Sequence, residues 1–292
     1  MRMKQNLLRD LRAFRGVLFA CFLAVTAVPA AAQQRPLVTR DPGVVGAGRV
    51  LLEAGIDYNR DMLFPASGLT GDLVRAPLIG VSVGLSSIAE LKIDGGLFNS
   101  LSISERREAP LSGLLDVPGS STSDVEGVVV ATKIRILPEG TTRPALGVRL
   151  ATKLPTTSNE AGIGLDTTDF YVTALLAKTV QSIRVVGNVG LGILGDPTRG
   201  DAQNDVLAYG LSLARALTDR TEVVGEVNGR AHVANGTAPP GTESRSALRF
   251  GARYTNGMLR IDGGIIVGLT TRDPGFGLMA GATYVFDAFR VP

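Results

Sequence analysis

The sequence predicts an all-β fold: a closed antiparallel transmembrane up-and-down β-barrel of about 12 strands. Three observations carry that expectation. Segment after segment alternates apolar residues with small or charged ones, the two-residue period of a strand with two unlike faces. The connections between these segments alternate long and short, as they do where strands cross one layer with short periplasmic turns and longer outer loops. Beyond the first thirty or so residues, no apolar run reaches the roughly 20 residues that a transmembrane helix needs.

The chain begins with a basic stretch (Arg2, Lys4, Arg9, Arg12, Arg15), continues apolar over 16–28, and reaches Ala30-Ala31-Ala32 before Gln33. That is the pattern of a secretory signal peptide over 1–32, removed at an A-x-A-like site. Pro29 and the shortness of the apolar run argue against a retained helix. Leu18-Phe19-Ala20-Cys21 imitates a lipoprotein box, but too few apolar residues precede Cys21 to form a signal core. Residues 33–48 are expected as a short periplasmic N-terminal segment, 49–286 as the barrel and 287–292 as a tail.

The strands follow in order. Over 50–58, Leu52, Ala54, Ile56 and Tyr58 oppose Glu53, Gly55 and Asp57; over 78–85, Ile79, Val81, Val83 and Leu85 oppose Gly80, Ser82 and Gly84. Over 89–98, Leu91, Ile93 and Leu97 oppose Glu90, Lys92 and Asp94; over 128–136, Val128, Val130, Thr132, Ile134 and Ile136 oppose Lys133 and Arg135. Over 146–154, Leu146, Val148, Leu150 and Leu154 oppose Gly147, Arg149 and Lys153. The strand over 170–179 is apolar on both faces and its inward face stays open. Strands over 183–193 and 206–215 follow, then 221–230, where Val223 and Val227 oppose Glu222, Glu226 and Arg230. Two alternating runs meeting at Asn256-Gly257 read as a hairpin. The last strand, 276–286, puts Phe276, Leu278, Ala280, Ala282, Tyr284 and Phe286 on one face. Long connections are expected at 59–77, 99–124, 155–168, 195–205, 231–246 and 270–275.

A soluble β-sandwich also alternates, so the residue types on the second face matter. Here that face holds Gly, Ala and Ser with interspersed Arg, Lys, Asp and Glu. A water-exposed strand face favours larger β-formers, whereas small residues and charges suit the crowded interior of a closed barrel. Aromatics fall near strand ends: Tyr58, Phe170, Tyr209 and Phe276 at the outer rim, Tyr254, Tyr284 and Phe286 at the periplasmic rim. The apolar face is therefore expected to meet outer-membrane lipid.

Composition removes other classes. The 30 Lys+Arg and 27 Asp+Glu include five and one, respectively, within 1–32, so the remainder holds 25 basic against 26 acidic residues. Near neutrality withdraws the electrostatic case for nucleic acid. The single cysteine, Cys21, lies within the leader, so no disulfide or thiol chemistry is expected of the remainder. Gly190-Leu191-Gly192-Ile193-Leu194-Gly195 matches a dinucleotide fingerprint, but Asp196-Pro197-Thr198-Arg199-Gly200 follows where a helix would have to start. His232, the only histidine, has no Ser or Asp placed beside it by sequence, and Asp196, Asp201 and Asp205 lack EF-hand spacing. No cofactor, metal or catalytic residue is expected, and the chain is read as not an enzyme.

The charges that fall on the inward face are the candidate lumen lining: Glu53, Asp57, Glu90, Lys92, Asp94, Lys133, Arg135, Arg149, Lys153, Arg184, Glu222, Glu226, Arg249, Arg253, Arg260 and Asp262. They either pair and brace a narrow interior or form charged rings that select solutes. Arg135, Arg149, Lys153, Arg249 and Arg253 cluster on neighbouring strands, which would bias part of the lumen toward anions.

Several stretches also carry a family resemblance. They are Gly48-Arg49-Val50 with Glu53-Ala54-Gly55; Ala151-Thr152-Lys153-Leu154-Pro155-Thr156 with Gly162-Ile163-Gly164 and Asp169; Gly225-Glu226-Val227; and 248–254 with Gly268-Leu269, Asp273-Pro274, Phe276-Gly277 and Gly281. Together they resemble the outer-membrane transporter-like family named for the meta-pathway of phenol degradation. The resemblance implies a barrel of about twelve strands that moves small compounds, aromatic ones among them, and brings no catalytic residues. The tail departs from the common pattern of a terminal aromatic, so Phe286 or Phe289 would serve as the assembly signal. The expected function is passive uptake of small molecules across the outer membrane. The expected partners are outer-membrane lipid, the barrel-assembly machinery and periplasmic chaperones, and a small-molecule solute. The alternatives are a non-conducting barrel that braces the envelope or binds through its loops, and a barrel hydrolase using His232 with Ser244 or an Asp.

Overall fold

A computed structural model describes residues 35–290, and the expected leader lies outside them. The described residues form one sheet of fourteen strands: β1 (Arg49–Phe64), β2 (Leu69–Gly84), β3 (Ala89–Gly96), β4 (Asn99–Arg106), β5 (Ser121–Asp124), β6 (Val129–Leu137), β7 (Ala145–Lys153), β8 (Asp169–Val180), β9 (Ile183–Gly195), β10 (Gln203–Ala216), β11 (Thr221–His232), β12 (Arg245–Asn256), β13 (Leu259–Gly268) and β14 (Phe276–Asp287). Every pairing is antiparallel, and β1 pairs both β2 and β14, which closes the sheet on itself. β3 and β4 pair with successive halves of β2, while β6 and β5 pair with β3 and β4. Each duo is thus one interrupted stave, and the barrel has twelve. Closure gives every stave two neighbours, which a wall in lipid requires because nothing outside can satisfy its backbone.

The burial pattern is inverted relative to a soluble core. Leu52, Ile56, Ile93, Leu150, Val172, Leu191, Leu211, Phe250 and Ile261 are exposed, whereas Glu53, Glu90, Lys133, Ser212, Glu226, Arg260 and Thr283 are buried. A one-residue register slip would exchange these sets, so the period of two fixes the pairing firmly. The same burial decides β8: Phe170, Val172 and Leu176 face outward, and Asp169, Leu175 and Ala177 inward. The hairpin between β12 and β13 turns on Gly257 and Met258, with Gly257 at φ +61°, a conformation that suits glycine at the first turn position.

Two of the long connections expected from sequence are instead strand. β1 and β2 run on as a hairpin through Phe64 and Leu69, replacing much of the loop expected over 59–77, and β4 and β5 occupy parts of 99–124. The reason is a change of sign. Above Tyr58, whose hydroxyl donates to Asp72 (2.7 Å), polar Arg60 and Asp61 are exposed, while Leu69, Leu73 and Leu101 turn inward against Met62, Phe64 and Ile163. A strand that leaves the bilayer for water exchanges its apolar and polar faces.

The second departure concerns the segment expected to be periplasmic. Residues 35–48 have no regular secondary structure and lie against the inner face of the barrel wall. An irregular backbone at this depth needs partners for its N–H and C=O groups, and the inward side chains supply them.

Candidate functional site

The N-terminal segment makes a lap around the inside of the wall. Arg35 donates to the Ala280 carbonyl of β14 (2.9 Å) and lies 3.8 Å from Asp57 of β1 and 3.7 Å from Asp262 of β13. Its own carbonyl accepts from Arg253 Nε of β12 (2.7 Å). The amides of Val38 and Thr39 each donate to one oxygen of Glu226 on β11 (2.8 Å both). Asn188 of β9 accepts from the Arg40 amide (2.6 Å) and donates to its carbonyl (2.8 Å). Asp41 accepts a two-pronged contact from Arg184 (2.9 and 3.0 Å), and its carbonyl accepts from Lys133 of β6 (3.1 Å). The Val45 amide donates to Glu90 of β3 (2.8 Å), and Gly48 joins the Gly84 carbonyl at the end of β2 (2.9 Å).

Glycines on the wall make room for this lap. A Cβ on Gly55 or Gly281 would collide with the Arg35 guanidinium, and one on Gly84 with the Gly46 carbonyl. On Gly251 it would lie 2.9 Å from Pro36, and on Gly210 2.7 Å from Thr39. The inward glycines therefore seat a second layer of chain rather than merely thinning the interior.

All sixteen candidate residues are buried or half-buried. Lys133 and Glu90 are directly opposed across β3 and β6, 2.9 Å apart, with side chains only 4% and 5% exposed. Lys92 reaches Glu53 at 2.5 Å, Arg249 reaches Glu226 at 3.2 Å, and Lys153 lies 3.7 Å from Asp169. Glu222 stands 3.8 Å from Arg253 and 3.7 Å from Arg260; Asp57 accepts from Arg75 at 2.8 Å. Arg135 donates to the Ser87 carbonyl in the turn between β2 and β3 (2.5 Å), and Arg184 also contacts Glu139. Both oxygens of Asp262 and one of Asp94 lack a hydrogen-bond partner. Of the five cations expected to bias the lumen toward anions, Lys153, Arg249 and Arg253 thus have carboxylates close by. Arg149 sits opposite another cation, Lys133.

Among the described residues, two sizeable cavities lie inside the wall. The inner one, about 260 Å³, is bounded by Arg35, Val38, Glu53, Asp57, Lys92 and Asp94. The outer one, about 290 Å³, lies between the outer ends of the staves and the loops folded over them, with Phe64, Leu111, Ile163, Leu165, Arg230 and Arg245 among its walls. Arg75, Glu126 and Gly127 border both cavities. Arg75 bridges Asp57 (2.8 Å) and Glu126 (3.1 Å), so this ion bridge stands at the junction. The loops over the outer mouth are tied down: Ser67 donates to the Gly162 carbonyl (2.6 Å), Thr122 to that of Ala161 (2.9 Å), and the Leu111 amide to that of Ala66 (2.8 Å).

Sequence reasoning passed over Arg35, Arg40, Asp41, Arg75, Glu126, Asn188 and Arg245. Arg75 lay in the stretch read as the 59–77 loop, Glu126 fell between the 99–124 loop and the strand over 128–136, and 35–48 carries no periodic signal. The spacing of inward glycines was the available clue to the lap. The other motifs resolve as local structure. Gly190 and Gly192 lie within β9. His232 Nδ1 lies 2.6 Å from Asn204, its Nε2 has no partner, and Ser244 Oγ accepts only from the His232 backbone amide (2.9 Å). Asp196 is engaged by Thr198 and Arg199, and among the described residues no cluster of three or more potential ligands could hold a metal ion.

No family model matches the chain, and no curated protein does either. Solved structures do. An outer membrane channel from Pseudomonas putida F1 aligns over 84% of this chain and 98% of its own, with a TM-score of 0.60 and 14% identity. The translocator domain of the autotransporter NalP from Neisseria meningitidis aligns over 82% and 89%, with 0.48 and 14%. The Pseudomonas putida toluene transporter TodX aligns over 82% and 89%, with 0.38 and 11%. At 14% identity the likeness to the first is one of architecture. This chain is a closed, twelve-stave antiparallel β-barrel of the kind that outer-membrane proteins build.

Proposed function

We propose that this barrel sits in the outer membrane and acts as a passive channel for small molecules, aromatic or carboxylate compounds among them. The observation that carries the reading is the pair of cavities inside a closed wall, adjoining at Arg75 and Glu126. An apolar exterior and a charged interior suit a conduit across lipid. The likeness in fold to a channel from Pseudomonas putida F1 is consistent with it, as is the sequence resemblance to the phenol meta-pathway family. In this reading the N-terminal lap narrows the periplasmic half of the path, and the Arg75 bridge is a constriction that a solute must pass. No described residue is assigned a catalytic role.

The runner-up is a non-conducting barrel, favoured by the same lap and by the number of paired inward charges. Solute entry into liposomes separates the two. Residues 33–292 would be refolded into vesicles beside a chain beginning at Gly46, with benzoate-like acids, neutral aromatics and graded sugars as solutes. A channel admits some solutes faster than protein-free vesicles do, and the shortened chain admits larger ones. Inserted barrels of both kinds that admit nothing would establish the bracing role instead.

A further inference from the structure

The outer cavity contains an imbalance that the wall itself does not resolve. Arg230 of β11 and Arg245 of β12 are direct register partners, and both border this cavity. Like charges directly opposed across a ladder are destabilising. Among the described residues, neither has a carboxylate within ion-pair distance. Their donors go to neutral groups instead. Arg230 Nε donates to the Glu243 carbonyl (3.0 Å) and its Nη2 to that of Gly241 (2.7 Å), while Arg245 Nη2 donates to that of Leu63 (3.1 Å). Arg245 Nη1 lies 3.9 Å from the sulfur of Met62, a weak acceptor, and its Nε is buried with no partner at all.

The other charges around the cavity balance one another. Arg75 has Glu126 at 3.1 Å, and Lys153 has Asp169 at 3.7 Å. That leaves the two opposed guanidinium groups in excess. Apolar side chains border the same space: Met62, Phe64, Leu111, Ile163 and Leu165. A volume of about 290 Å³ sits near the lower end of small-molecule pockets, which start at roughly 300 Å³.

We propose that the outer cavity is a binding site for a small amphipathic anion. Its carboxylate lies between Arg230 and Arg245, and its apolar body rests against Phe64, Ile163 and Leu165. The carboxylate neutralises the opposed pair and gives the spare guanidinium donors charged acceptors, which are stronger than the neutral ones they now use. An inorganic anion would leave the apolar wall unused, and a neutral aromatic would leave the two charges facing each other. The proposal deepens the channel reading, because the cavity adjoins the inner one at Arg75. It does not depend on flux being observed.

The test is calorimetric titration of the refolded chain 33–292 in detergent with benzoate, benzyl alcohol and inorganic phosphate. Benzoate should bind to saturation, and the other two should bind about tenfold or more weakly. Arg230→Gln/Arg245→Gln should lose benzoate binding while keeping the heat-modifiable mobility of a folded barrel. Leu165→Asp should weaken it by placing an anion in the apolar wall. The three-ligand comparison on the unaltered chain needs no variant, so it decides even where a variant fails to fold. Absence of benzoate binding, equal binding of phosphate, or full binding by a folded double variant would each overturn the proposal. Binding without liposome flux would retain the site and remove the channel, and flux without binding would do the reverse.

Discussion

Glu226→Gln tests whether the wall holds the N-terminal lap in place. The carboxylate accepts the Val38 and Thr39 amides, one on each oxygen, both at 2.8 Å, and also faces Arg249 at 3.2 Å. Glutamine is isosteric but retains one acceptor. Its NH₂ group would point at an amide that needs an oxygen, and Arg249 would lose a charged partner while keeping Asn228. A hydrogen bond to a charged group is worth about 1.5–3 kcal/mol, and its loss leaves a buried amide unpaired. Taking about 2 kcal/mol, the population in which residues 36–40 leave the wall rises about 30-fold, since each 1.36 kcal/mol is tenfold. Amide exchange followed by mass spectrometry reads this directly, because exchange through local opening scales with that population. Trypsin gives a second readout, as Arg40 is the one site in 36–48 and Arg35 is shielded by Pro36. Unchanged exchange at Val38 and Thr39 in a folded Glu226→Gln barrel would refute the idea that this carboxylate anchors the lap.

Other consequences are simpler to state. Lys133→Met removes the partner of Glu90 at a site where both side chains are about 5% exposed or less. The expected loss is about 3 kcal/mol in denaturant titration, at the lower end for a broken buried pair because the Val45 amide still donates to Glu90, with partial recovery in Glu90→Gln/Lys133→Met. Leu211→Arg puts a charge on the outward face of β10, where Leu211 is 50% exposed, and should cost about 2–4 kcal/mol in vesicles if that face meets the middle of the bilayer. Burial pushes the Glu139 carboxyl up, but the Thr179 amide, Arg184 and Lys178 outweigh it and hold the group below the usual carboxylate range. Its contribution is therefore present above the unfolded value and lost only as pH falls through the lowered one. Exchange at 39–43, which Glu139 secures through Arg184 and Asp41, should stay flat from neutral pH to about 5 once corrected for the intrinsic pH dependence, and rise below about 4.

Much of this barrel was readable because two faces in unlike solvents impose a strict period. Leu52 against Glu53, or Ile261 against Asp262, announces both the strand and the direction of each side chain. The ladder partners were not readable, since Glu90 opposite Lys133 and Glu226 opposite Arg249 depend on register, which the alternating pattern of each strand limits only to steps of two. The outer half of the β1–β2 hairpin was hidden by the reversal of faces above Tyr58. The lap was hidden for a different reason. Residues 35–48 have no periodicity, and their partners lie up to 245 positions away, as with Arg35 and Ala280. Arg230 and Arg245 stand out only once β11 and β12 are aligned.

The lap touches the first stave and the last. Arg35 reaches Asp57 on β1 and the Ala280 carbonyl on β14, so the chain's own leading segment crosses the seam where the circle is joined. A cooper's hoop does the same work from outside. Here the hoop is inside, and it is continuous with the first plank through Gly48 and Arg49. Splitting this barrel at its seam therefore means pulling out a covalently attached fastening as well as breaking one ladder. The β1–β14 edge, otherwise the natural place for fraying, is expected to open with the rest of the wall instead of ahead of it.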